Sequence, residues 1–132
     1  MSPSEFPVPL SGVPLAQART YQLHIHLKCS QSIVIGRLGH FRFEQGHYLY
    51  TGSATRHIQQ RLLRHLSGHK TLHWHIDYLL AAESAEIISI SLMAKAECSV
   101  NQSVIAKIPV RGFGASDCRA GCGAHLKFLG QL

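Results

Sequence analysis

The amino-acid sequence predicts an α/β fold, a small and mainly antiparallel sheet flanked by helices. Two changes of apolar period carry that prediction. From Tyr21 to Lys28 apolar residues alternate with polar ones, as on a strand with one buried face. Between residues 55 and 67 they recur at helical spacing instead. A third observation is the set of glycine and polar punctuations between residues 30 and 46, which cuts that region into short strands.

Taken in order, four of the five prolines (Pro3, Pro7, Pro9 and Pro14) fall in residues 1–18. That density opposes helix and central strand, so an extended leader is expected there, followed by one domain over residues 19–132. Tyr21, Leu23, Ile25 and Leu27 then form the apolar face of a strand. Further strands are expected at 33–35, 40–43 and 47–51, joined by glycine turns in an antiparallel hairpin arrangement. In the helix over 55–67, Ile58, Leu62, Leu63 and Leu66 make the apolar arc. His57, Arg61, Arg64 and His65 are read as a basic opposite arc, and Gly68 ends the helix. The run 73–80 fits either a helix or a strand. Ile88, Ile90 and Leu92 alternate as a strand, 96–107 reads as a helix closed by Pro109, and a last strand is expected at 125–129.

The chain has 132 residues, which suits one domain and one core. An apolar fraction of 45% with 15% charged residues excludes disorder. No apolar run reaches the roughly 20 residues of a membrane span, so no membrane partner is expected. The opening Met-Ser-Pro-Ser-Glu lacks the basic and apolar regions of a secretory signal, and a cytoplasmic location is the expectation. The net charge of +6 with histidines neutral favours a polyanionic partner, because cations placed on phosphates release condensed counterions.

The stretch from Gly46 to His65 carries the most chemistry. Tyr50 stands two residues before Gly52 where a strand gives way to a helix, and Arg61 follows on that helix. A phenol relays protons, and a guanidinium grips a phosphate in bidentate fashion. Tyr21 on the first strand, Tyr50-Thr51-Gly52, Arg61 with His65 four residues on, and Glu97 opening a later helix together resemble the GIY-YIG nuclease superfamily. Three stretches resemble more closely one uncharacterised branch of it, which also occurs attached to DNA-repair glycosylases of the endonuclease III type. They are Gly46-x-Tyr48-x-Tyr50-x-Gly52-Ser53-Ala54, the run from His73 to Leu80, and Gly112-Phe113-Gly114-x-Ser116-Asp117-Cys118. The resemblance runs from about Tyr21 to Phe128.

It implies metal-dependent phosphodiester hydrolysis on DNA. Catalytic roles fall on Tyr21, Tyr50, Arg61, His65 and Glu97, with Glu97 holding Mg²⁺ or Mn²⁺. The superfamily's later asparagine has no match beyond Asn101, with Ser116 or Asp117 as substitutes. A second expectation is a non-catalytic nucleic-acid-binding module that uses Arg56, Arg61, Arg64 and His65. A third is a zinc-stabilised interaction domain, with zinc on Cys98, Cys118, Cys122 and His125, or on His73, His75 and Asp77 if these alternate along a strand.

Overall fold

The structure is a computed structural model, which describes residues 6–131 apart from 116, 117 and 119. The long alternating strands make its centre. β2 (Thr20–Leu27) and β5 (Gly46–Ser53) pair antiparallel over their whole length, with Tyr21 opposite Gly52 and Leu23 opposite Tyr50. β6 (Ala85–Met93) lies antiparallel on the other side of β2, and β7 (Leu126–Gly130) antiparallel beside β5. β1 (Leu10–Gly12) closes the far edge parallel to β6, giving the order β1-β6-β2-β5-β7. The mainly antiparallel sheet with flanking helices is the predicted fold class.

The leader is part of this sheet. β1 lies between Pro9 and Pro14, on an edge where a missing N–H leaves no gap in a ladder. The Pro9 carbonyl still accepts the Ile90 N–H at 3.0 Å, and Phe6 is buried. The expected chain of hairpins is corrected in one respect. β2 and β5 skip their sequence neighbours to pair with each other, while β3 (Gln31–Ile35) and β4 (Gly39–Phe43) form a separate two-stranded sheet. Eight-residue strands with matching apolar faces bury more surface against each other than either does against a five-residue strand.

Three α-helices complete the fold of the described residues. α1 (Ile58–Leu66) starts three residues later than expected, because His57 adopts a left-handed conformation at φ 57° that a helix cannot include. The run 73–80 resolves as helix α2 (His75–Leu80), whose Ile76 and Leu79 are fully buried. α3 (Glu97–Ser103) is shorter than expected. Val104 is already extended, and the chain continues to Lys107, which bridges to Phe128 beside β7. Buried Lys127 binds this helix end, donating to the carbonyls of Asn101 and Val104 at 3.3 and 2.9 Å. Leu62, Ile76, Leu79, Phe43 and Phe113 fill one core with the apolar face of β2. Among the described residues, no helix is long and apolar enough to cross a membrane.

The basic arc of α1 needs correction. His65 is 2% exposed. It stands seven residues after Ile58, two helical turns on, which returns it to the stripe that faces the core. Its polarity suggested a surface position, whereas its spacing assigns it to the interior.

Candidate active site and metal cluster

The site forms where β2 begins and β5 ends. Tyr21 is carried by β2, Tyr50 by β5, Arg61 by α1 and Glu97 by the first turn of α3. All four line one cavity of about 610 Å³, together with Trp74, His125 and others. Gly52 explains how the Tyr21 ring fits there. A Cβ on that residue would approach the Tyr21 Cζ and Oη to 2.6 Å, so only glycine admits the ring.

The two phenols are deeply buried. Desolvation raises both pKa values well above the ordinary tyrosine range, and the Arg61 guanidinium partly offsets this at Tyr21. Tyr21 Oη lies 2.7 Å from His65 Nε2. Burial, with nearby Lys70 adding to it, pushes the His65 pKa down to about 3, so the imidazole is neutral at ordinary pH.

Arg61 is positioned from two sides. Its Nη1 donates to the Ser53 carbonyl at 3.1 Å, and its Cζ lies 4.5 Å from the centre of the Trp74 ring. Arg64 also lies over Trp74, at 4.4 Å, but it is already engaged. It makes a bidentate pair with fully buried Asp77, at 2.8 and 2.9 Å. Asp77 further accepts the backbone N–H groups of His73 and Trp74, each at 2.9 Å, and so caps α2. Of the expected basic surface, His65 is in the core and Arg64 is paired with Asp77. Arg56 remains exposed just before α1, and Arg61 faces the cavity.

The expected metal trio His73, His75 and Asp77 is not brought together. It begins a helix rather than alternating along a strand, Asp77 is taken up by Arg64, and His75 Nδ1 accepts the Gly114 N–H at 2.9 Å. Asn101 does not face the cavity either. It is buried and donates to the Ala124 carbonyl at 2.8 Å. Ser116 and Asp117 lie outside the described residues.

The cysteine reading fares differently. Cys98, Cys118, Cys122 and His125 present one donor atom each, all within 4.8 Å of one another, and this group can hold a metal ion. Cys98 Sγ lies 3.6 Å from Cys118 Sγ and 3.9 Å from His125 Nε2. A tetrahedron with metal–sulfur bonds of about 2.3 Å has edges of about 3.8 Å, so the donors already stand near coordination spacing. All four cysteines of the chain are free thiols. Without a metal the Cys118 thiol is pushed down to about 6 by the backbone N–H groups of Cys122 and Ala120 and by His125.

Glu97 joins the cluster to the cavity, a link that spacing along the chain does not reveal. Its Oε1 accepts the Ser53 hydroxyl at 2.5 Å, and its Oε2 bonds His125 Nδ1. These bonds hold the carboxyl below its ordinary pKa against the effect of burial, while Glu97 raises His125 to about 9. Trp74 is the other residue whose part in the site was not foreseen, since its role as a guanidinium platform needs two arginines brought beside it.

No curated protein and no solved structure matches the chain. A family model described as a domain of unknown function, DUF123, matches residues 20–132, and the chain belongs to that family.

Proposed function

We propose that this protein hydrolyses phosphodiester bonds in DNA as a divalent-metal-dependent endonuclease of the GIY-YIG type, with the cavity beside Glu97 as its active site. One observation carries the reading. Tyr21, Tyr50, Arg61 and Glu97 come from two strands and two helices, yet line the same cavity. The motif resemblance supplies the reaction class, and a net charge of +6 suits a polyanionic substrate. A setting in DNA repair and a cytoplasmic location belong to the same proposal.

Arg61 retains N–H groups beyond the one given to Ser53, and Trp74 restrains its plane. A guanidinium held this way grips phosphoryl oxygens and opposes the charge that builds on them. Tyr21 and Tyr50 remain protonated at neutral pH and enter as O–H donors to water or phosphate. Loss of a proton from Tyr21 is favoured by the adjacent Arg61. Glu97 is the one carboxylate among the described lining residues. A single carboxylate suits a hydrated hard ion such as Mg²⁺ or Mn²⁺. When bound, such an ion supplies Lewis-acid polarisation of the phosphate and stabilises the leaving oxygen.

The Cys98, Cys118, Cys122 and His125 cluster takes a different ion. Three thiols and an imidazole are a soft set that selects zinc over magnesium. Four protein donors close the coordination sphere, so the zinc is structural.

The test uses labelled single-stranded, duplex, branched and flapped DNA, with and without added Mg²⁺ or Mn²⁺. Omitting the ion is preferable to chelation, which would also strip the cysteine cluster. Cutting that needs the added ion and is lost in Arg61→Ala and Glu97→Ala is the expected result. Full cutting by both variants would overturn the assignment. Salt-sensitive DNA binding without any cutting would favour a recognition module instead.

A further inference from the structure

The imidazole of His125 is held between two kinds of partner. Nε2 faces sulfur, 3.9 Å from Cys98 Sγ, while Nδ1 is bonded to the Glu97 carboxylate. The backbone fixes the ring's place. The His125 N–H donates to the Phe113 carbonyl at 2.8 Å, and its own carbonyl accepts the Thr51 N–H at 2.9 Å. The His125 side chain is only 3% exposed, so the ring has little freedom to turn. Glu97 immediately precedes Cys98, so one turn of α3 supplies both the carboxylate and a thiol of the cluster.

A histidine with soft donors at one nitrogen and a carboxylate at the other has the arrangement of a metal ligand oriented from its outer side. We propose that Glu97 is a positioning residue of the metal centre formed by Cys98, Cys118, Cys122 and His125. When the metal takes the place of the Nε2 proton, Glu97 holds the remaining His125 proton on Nδ1, so that the Nε2 lone pair is directed at the metal, and its charge strengthens that nitrogen as a donor. The link also works in reverse. A loaded centre holds His125, and His125 holds Oε2, while Ser53 holds Oε1. The carboxylate therefore meets the cavity in one orientation. This second half rests on the phosphodiesterase reading, since it concerns the residue given the hard cation there. The zinc half does not.

The experiment measures zinc content and zinc affinity of the full chain, by competition with a chromophoric chelator. The proteins compared are the wild type, Glu97→Gln, Glu97→Ala, Arg61→Ala and Cys118→Ser. One zinc per chain is expected in the wild type. Both Glu97 variants should bind it about 10- to 100-fold more weakly, the usual cost of losing such an outer partner. Arg61→Ala, which lines the same cavity without a hydrogen bond to His125, should bind zinc as the wild type does. With cobalt(II) in place of zinc, Glu97→Gln should keep the thiolate charge-transfer band and shift the ligand-field bands. Unchanged affinity and unchanged cobalt spectra in both Glu97 variants would overturn the positioning role. No stoichiometric zinc in the wild type, or undiminished affinity in Cys118→Ser, would overturn the metal centre itself. A chain that shows these zinc effects but never cuts DNA sinks the phosphodiesterase reading, and the second half with it, and leaves the zinc half standing. Cutting by a zinc-free wild type does the opposite.

Discussion

Tyr21 Oη and His65 Nε2 are 2.7 Å apart in a contact closed to solvent, and the other ring nitrogen of His65 has no partner among the described residues. Stranding an N–H in the interior costs more than leaving a bare acceptor there. The favoured tautomer therefore carries its hydrogen on Nε2 and donates to the Tyr21 oxygen. The phenolic hydrogen is then free to face the cavity.

This pair makes stability depend on pH. The folded His65 pKa of about 3 lies below the unfolded value of about 6.5, so between them the unfolded chain binds more protons. Stability should rise with pH through that window and fall on acidification, with a slope of up to about 1.4 kcal/mol per pH unit from this one group. Asp77, whose pKa is lowered by Arg64 and backbone N–H groups despite its burial, adds in the same direction as pH falls through its folded pKa. Denaturant unfolding between pH 7 and pH 4 should show a shallower dependence in His65→Gln. An identical slope in wild type and variant would refute the assignment.

Arg64 and Asp77 should behave as a structural pair. Asp77 is fully buried, so Arg64→Ala leaves its charge uncompensated, at a cost of about 3–5 kcal/mol. Chemical denaturation should show that loss. Arg64→Ala should leave the salt dependence of DNA binding unchanged wherever the variant remains folded. Arg56→Ala, at an exposed position beside the cavity helix, should instead reduce that salt slope by about 1 without loss of stability.

Gly52→Ala tests the packing of the phenol. The new methyl meets the Tyr21 ring at 2.6 Å, and the ring is buried and bonded to His65, so it cannot swing away freely. Destabilisation of about 1–3 kcal/mol is expected, with circular dichroism like that of the wild type and DNA cleavage lost. Retained cleavage at wild-type rate would mean that the ring position is unimportant.

Removal of the metal should loosen one corner of the fold. Cys98 lies on α3, while Cys118, Cys122 and His125 belong to the segment leading into β7, so a metal held by the cluster would tie the two together. Thermal melts with a strong chelator should show a lower Tm, reversed by zinc and absent in Cys118→Ser. A melt indifferent to both chelator and zinc would argue against a structural ion.

Local order is written along this chain. Alternation in β2 and β6 and the helical stripe of α1 follow from periods of about two and 3.6 residues, which any short window of sequence exposes. Four of the residues that line the cavity were legible through the resemblance to a family motif, and the cysteine cluster as a set of soft ligands. Even His65 was readable, since its seven-residue offset from Ile58 marks it as buried.

Pairings between distant segments were not legible. The partnership of β2 with β5, the entry of β1 as an edge strand and the early end of α3 depend on which surfaces bury best together. The fate of charged and polar side chains is decided the same way. Arg64 went to Asp77, Arg61 to the Trp74 face, and Glu97 to His125. Spacing says which side chains share a face of one element. Only the packing of several elements decides which buried charge meets which partner, because an unpaired charge in the interior is too costly to leave.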